Sequence, residues 1–290
     1  MKFFKLSVFG LIFVLTSCAQ KKLVFERRYE DGEHILYKLK GRTQSPSGMV
    51  VYRAKAKSLV TKINKKDFIE EFTLEDVSID EKPIVLNETQ GPIHLNLSLN
   101  SNTKIKFPDF SKVHPAIVGL SLDLMTIYAD LHLVQKQSDL AKEGDQYYLK
   151  DSKANSWADK NILIQAEDAI DFSMSVLKKD DQAKTIEILI KHVPPEKESI
   201  KLKADWMKKP IGFRPNNWLQ VKRIGAKKFA VSVGKEVIEV KVKLDLLYGK
   251  IIDASIDNTI EIKERVCFDE TYQFCGRTSQ YELKKEFLLY

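Results

Sequence analysis

A two-residue alternation of apolar and polar side chains recurs along most of this 290-residue sequence. Side chains of a β-strand point alternately to its two faces, so each alternating segment is predicted to be a strand with one apolar face. Turn residues between the segments, such as Tyr248-Gly249-Lys250, favour antiparallel meanders. The clearest segments are residues 52–57, 93–100, 172–176, 186–190, 229–233, 238–246, 252–256, 260–262 and 281–283. Each predicted sheet therefore covers an apolar core on one side only.

One segment, from Pro115 to about Lys142, has the spacing of a helix. Its apolar stripe is formed by Leu120, Leu124, Ile127 and Leu131, and its opposite, polar edge by Gly119, Asp123, Thr126 and Asp130. Residues three and four apart share one face of an α-helix. The predicted fold class is therefore α+β and mostly antiparallel, with curved, half-barrel-like meander sheets and one long amphipathic helix packed against them.

The first 18 residues have the pattern of an export signal. Lys2 and Lys5 precede an uncharged apolar run over residues 6–16, and the segment ends in Leu15-Thr16-Ser17-Cys18. This arrangement resembles the signal peptide and lipobox of bacterial lipoproteins. The resemblance implies cleavage before Cys18 and attachment of fatty chains such as palmitate to that cysteine. Several acyl chains together give stable membrane anchoring.

The lipoprotein resemblance also divides the chain. It implies a signal peptide at residues 1–17 and a lipid-anchored linker at 18–30, and the strand pattern predicts a β-rich domain at 31–290. That domain forms either one unit or two lobes, 31–142 and 143–290. Ala19-Gln20 lacks the aspartate that retains enterobacterial lipoproteins at the inner membrane. In a host with two membranes, the resemblance therefore implies a periplasmic protein of the outer membrane rather than of the inner one.

Two cysteines remain once Cys18 is assigned to lipid. Cys267 and Cys275 form a pair in a chain that is predicted to leave the reducing cytosol. An even number of cysteines in an exported protein favours a disulfide. A metal site is the alternative, but two cysteines with no nearby histidine make a poor ligand set. We expect a disulfide that closes a hairpin between residues 260–262 and 281–283.

The sequence contains no recognisable catalytic motif. Its five histidines form neither a His-x-x-x-His pair nor a cluster with cysteine. Asp123 and Asp130 share a helix face and could act as an acid and a base, but solvated carboxylates are also common on amphipathic helices. His132 is expected in the core or at its boundary. We therefore predict no cofactor and no metal, and favour a non-enzymatic protein over an enzyme.

Residues 201–228 are unusually basic. They contain nine Lys or Arg residues, a single acidic residue and three aromatic residues. Such a composition suits a lipid headgroup surface, and the alternative is a solvated basic loop whose tryptophans pack into the core. Nucleic acid is not an expected partner of an exported protein. The candidate membrane-docking residues are Lys208, Lys209, Arg214, Trp218, Lys222 and Arg223.

An anchored antiparallel sheet with a covering helix resembles, in architecture, the LolA/LolB-like lipoprotein carriers and receptors. That resemblance implies an incomplete β-barrel around an apolar cavity. Leu120, Leu124, Ile127 and Leu131 would then face a lipid or acyl chain. A two-lobed β protein of another type is an equal alternative for the fold. The alternative function is a structural or interaction lipoprotein that acts through its basic-aromatic surface without a small ligand.

Overall fold

A single antiparallel sheet and two helices make up the described part of the protein. The computed structural model describes residues 24–65, 67–84, 94–99, 115–137, 139–153, 157–158, 162–166, 169–193, 200, 202–208 and 216–290. The elements are β1 (His34–Ser45), β2 (Gly48–Lys62), β3 (Phe68–Ile79), β4 (Lys82–Pro83), β5 (His94–Asn96), α1 (Pro115–Gln135), β6 (Gln146–Lys153), β7 (Trp157–Ala158), β8 (Ile162–Ala166), β9 (Ala169–Asp180), β10 (Thr185–Val193), α2 (Asp205–Lys208), β11 (Asn216–Gly225), β12 (Lys228–Asp245), β13 (Ile251–Cys267) and β14 (Ser279–Leu289).

The main path of the sheet runs β4-β3-β2-β1-β14-β13-β12-β10-β9-β6. All strand pairs in the described residues are antiparallel, and the two outermost strands of this path, β4 and β6, do not pair with each other there. The predicted class, mostly antiparallel β with one long helix, is confirmed.

The C-terminal strand joins the two halves of the chain. β14 pairs with β1 on one side, where Leu39 lies opposite Leu289, and with β13 on the other. On the β13 side, Ile260 lies opposite Leu283 and Ile262 opposite Tyr281. The predicted hairpin between residues 260–262 and 281–283 is therefore present, and the sheet continues from the first strands of the domain to the last.

The longest feature of the sheet is the hairpin of β12 and β13. The two strands pair from Phe229 opposite Cys267 to Leu244 opposite Ile251. Residues 229–233 and 238–246, predicted as separate strands, thus belong to one strand. The polar residues 257–258, which separate two of the predicted strands, lie inside β13 because β12 and β14 pair with β13 on both sides.

The long helix α1 is shorter than predicted, because it ends at Gln135 instead of near Lys142. Gly144, which follows the predicted end of the helix, lies in the turn before β6 with a positive φ. The helix contacts β1, β3, β12 and β13. By length and composition it could cross a membrane, but more than half of it is buried inside the protein, as is usual for the core helix of a globular protein.

Two groups of buried side chains lie on the sheet. The larger one includes the apolar residues of α1 and those of both ends of the sheet path, from β3 to β9. The smaller one lies at the Phe229 end of the hairpin and includes Met207 of α2, Leu219 of β11 and the buried residue Cys267. The strand β12 contributes to both groups. Its second half pairs with β10 and its first half pairs with β11.

Candidate functional site

The predicted ligand-facing stripe of α1 is buried. The exposed fraction is 2% for Leu120 and 0% for Leu124, Ile127 and Leu131. The helix approaches β1 closely, because an added Cβ at Gly41 would lie 3.1 Å from Leu120 Cδ2. The structure therefore brings all four candidate residues to the interface between the helix and the apolar face of the sheet.

Apolar side chains from strands on both sides of the helix complete this interface. Phe72 of β3 contacts Tyr128 of α1 edge-to-face, with 5.4 Å between the ring centres. Ile188 of β10 and Val242 of β12 belong to the same buried group as Leu124.

A buried carboxylate interrupts this apolar surface. Glu70 lies on the same inward face of β3 as Phe72 and Leu74, and none of it is exposed to solvent. Within the part of the chain that the structure describes, neither of its carboxylate oxygens has a partner in normal hydrogen-bond geometry. Three hydroxyl groups are directed at Glu70. They belong to Tyr29 of the N-terminal segment (residues 24–33), Ser58 of β2 and Tyr128 of α1.

Burial raises the pKa of the Glu70 carboxyl to about 7, although the charge of Arg27 and the three hydroxyls lower it. The guanidinium of Arg27 is itself occupied. It donates to the backbone oxygen of Arg28 and, over 2.9 Å, to Glu33. Glu33 also pairs with Lys250 at 2.5 Å. Arg27 therefore influences Glu70 through space while its own hydrogen bonds are made elsewhere.

A second polar contact fastens the helix to the sheet. Nε2 of His192 on β10 lies 2.8 Å from a carboxylate oxygen of Asp130, and both side chains are almost fully buried. Burial alone would lower the pKa of His192, but the Asp130 carboxylate outweighs it and the pKa is raised. The prediction that Asp130 lies on a solvated polar edge is therefore wrong, because β10 covers that side of the helix.

The two helix carboxylates differ in their surroundings. Asp123 is partly exposed, and burial raises the pKa of its carboxyl to about 6, although the charge of Lys285 lowers it. Asp130 is buried and bonded to His192. His132 is partly buried, as expected, and burial lowers its pKa. Among the residues that the structure describes, no group of three or more His, Cys, Asp or Glu side chains could hold a metal ion.

The basic stretch is in part a strand and not a loop, since residues 216–225 form β11. Lys222 and Arg223 are exposed there, as is Lys208 on α2. Trp218 instead packs over Gly234 of β12, the residue opposite it in the sheet. An added Cβ at Gly234 would overlap the ring of Trp218.

Other predicted sites have mixed outcomes. Cys267 and Cys275 are joined by the predicted disulfide. Cys18, Lys209 and Arg214 lie outside the described residues. Glu70 was not predicted as a site residue, although its spacing of two and four residues from Phe72 and Leu74 places it on their face.

Two comparisons with known proteins found no match. No protein-family model matches the sequence, and no curated protein matches it significantly. The functional assignment therefore depends on the sequence pattern and on the geometry of the interface between α1 and the sheet.

Proposed function

We propose that this protein is an exported, membrane-anchored lipoprotein that binds a lipid or acyl chain between α1 and the sheet. The observation that carries the proposal is the burial of one long apolar helix against an antiparallel sheet that is open within the described residues. In this proposal the sheet is a half-barrel and α1 is its lid. The lid residues are Leu120, Leu124, Ile127 and Leu131.

The burial energy of the four lid residues is comparable with that of one lipid chain. Burying one Leu or Ile side chain contributes about 1.5–3 kcal/mol, so the four lid residues contribute roughly 6–12 kcal/mol. A twelve-carbon chain contributes about 0.8 kcal/mol for each buried CH₂ group, or roughly 10 kcal/mol in all. A lipid chain can therefore replace the contacts of these four side chains, to which Ile117, Met125 and Val134 of α1 add further buried surface.

The decisive experiment compares two substitutions on the same helix. In the mature chain with Cys18 replaced by Ala, Leu124→Asp changes a buried lid residue, and Leu122→Asp changes a residue that is 39% exposed. Binding of the uncharged probe N-phenyl-1-naphthylamine is followed by fluorescence, and stability by urea unfolding. If α1 is a lid, Leu124→Asp abolishes saturable probe binding and leaves a folded chain, because the introduced carboxylate reaches water when the helix opens.

The control, Leu122→Asp, should keep both binding and stability. If α1 is instead a permanent part of the core, Leu124→Asp buries an unpaired charge and unfolds the protein. That result, or the absence of saturable binding to the unsubstituted chain, would contradict the proposal.

Anchoring is tested separately at Cys18. Cells that express the full chain should incorporate labelled palmitate into it, and the protein should sediment with membranes of the outer fraction. Cys18→Ala should remove both the label and the sedimentation, whereas Cys275→Ser should remove neither. Unchanged labelling of the Cys18→Ala chain would refute acylation at this residue.

A second function, docking on an anionic envelope surface without a small ligand, is favoured by one observation. Lys222, Arg223, Lys227 and Lys228 are all exposed around the turn between β11 and β12. Each Lys or Arg near an anionic membrane contributes about 1 kcal/mol, screened by salt. The tryptophan expected to assist, Trp218, is packed on Gly234, so the attraction would be mainly electrostatic.

The docking surface has a matched control in the same chain. Lys222→Gln with Arg223→Gln should weaken binding to phosphatidylglycerol vesicles relative to phosphatidylcholine vesicles. Lys62→Gln with Lys65→Gln removes the same charge at another exposed site and should change binding much less. Equal losses in the two double variants would show that only net charge matters.

A further inference from the structure

We infer that Glu70 is the head-group site of the bound lipid, and that it selects an amphiphile whose head donates hydrogen bonds and carries no negative charge. This inference deepens the proposed lid mechanism and rests on it. The ligand chain would lie along the apolar face of the sheet, and its polar end would replace the hydroxyl of Tyr128 at the Glu70 carboxylate.

Hydrogen bonding at Glu70 is incomplete among the residues that the structure describes. A buried polar group without partners is unfavourable, and native proteins leave few such groups unsatisfied. Glu70 is fully buried, and the hydroxyls of Tyr29, Ser58 and Tyr128 that are directed at it do not reach normal hydrogen-bond geometry. The carboxylate can therefore accept a better-placed donor at one point of a mainly apolar interface, as expected where a ligand head supplies that donor.

The charged groups around Glu70 disfavour a second carboxylate. Arg27 and Lys250 carry two positive charges, and both pair with Glu33. With Glu70 ionised, the four groups have no net charge. A fatty acid would bring a second carboxylate against Glu70, and two adjacent like charges repel strongly in a buried site. Hydroxyl or ammonium heads would instead donate to the carboxylate oxygens of Glu70.

The helix α1 supplies one of the donors that are directed at Glu70. Tyr128 of α1 directs its hydroxyl at Glu70 and packs its ring on Phe72 of β3. When α1 moves away from the sheet, this donor leaves the carboxylate. Tyr128 is thus an internal competitor for the ligand head, and it couples the position of the helix to occupancy of the site.

The test is a competition experiment on the mature chain with Cys18 replaced by Ala, at pH 8. Bound N-phenyl-1-naphthylamine is displaced by dodecanol, dodecylammonium or laurate, which share one chain length. We expect dodecanol or dodecylammonium to displace the probe at a concentration at least tenfold lower than laurate. If dodecanol displaces the probe at the lower concentration, the ligand head is uncharged. If dodecylammonium does so, the ligand head is cationic.

Substitutions then assign the selectivity. Glu70→Gln should reduce the preference against laurate to less than threefold, whereas the adjacent Glu71→Gln, which changes an only partly buried residue, should keep it. Tyr128→Phe should tighten dodecanol binding severalfold, because it removes the internal competitor. Unfolding curves establish that each variant is folded.

Two kinds of failure are distinguishable. If the probe and all three amphiphiles fail to bind, both the lid mechanism and the head-group assignment are overturned. If the amphiphiles bind but laurate competes as well as dodecanol, or if Glu70→Gln leaves the preference unchanged, only the head-group assignment is overturned.

Discussion

The buried carboxyl of Glu70 should make the stability of this protein depend on pH. Burial raises its pKa from 4.5 to about 7, so the folded state holds the proton more tightly than the unfolded state. A group of this kind makes the protein less stable as pH rises through the interval between the two pKa values. A pKa that differs by one between the folded and unfolded states corresponds to about 1.4 kcal/mol. Glu70 alone should therefore lower the free energy of unfolding by about 2–3 kcal/mol between pH 5 and pH 8.

The assay is urea unfolding of the mature chain at pH 5 and pH 8, with Glu70→Gln beside the unsubstituted protein. The amide in Glu70→Gln does not titrate, so the loss of stability of this variant over the interval should be smaller by about 2–3 kcal/mol. His192, whose pKa is also raised, loses stability in the same direction as pH rises, but it does so in both proteins. Glu71→Gln is the matched control. Parallel pH profiles for all three proteins would refute the burial of an ionisable Glu70.

Three other substitutions test features of the fold. Replacing Cys267 and Cys275 together by Ser should lower the free energy of unfolding by about 2–3 kcal/mol, because the short loop between them is no longer closed in the unfolded chain; an unchanged urea midpoint would contradict this. Gly234→Ala should displace the ring of Trp218, with a loss of about 1–3 kcal/mol and a changed near-ultraviolet circular dichroism spectrum. Gly249→Ala should detach the N-terminal segment, because Gly249 has a positive φ and an added Cβ would overlap that segment; faster tryptic cleavage there is the expected readout.

The sequence predicted the strands correctly where one of their faces is apolar. It failed where pairing with neighbouring strands decides whether a strand continues. Residues 257–258 look like a turn, yet Asn258 is held between Ile238 and Lys285 of the neighbouring strands. Those partners are distant in sequence, so local turn propensity could not reveal that the strand continues. The same applies to Gly234, which looks like a break in the strand but makes room for Trp218 of the adjacent strand.

The apolar part of the candidate site was predictable and its polar part was not. Helical spacing identified Leu124 and its neighbours, and all are buried. The spacing also placed Asp130 on a polar edge, because it carries no information about β10, whose His192 covers that edge. The burial of Glu70 could have been predicted, since its position in β3 is in phase with that of Phe72. An acidic residue in a charged segment is, however, normally interpreted as solvated.

The long β12–β13 hairpin sets a distance between the two ends of the molecule. The N-terminal segment is fastened at the turn end, where Arg28 donates its backbone N–H to Tyr248. Val24 follows Cys18 by only six residues, so an extended linker spans roughly 20 Å. The paired length from Leu244 to Phe229 corresponds to roughly 50 Å at the rise of a β-strand. A lipid at Cys18 would keep the turn end beside its own bilayer. In an upright molecule, the disulfide end would then stand well outside the headgroup layer, where it could meet a protein or a facing membrane.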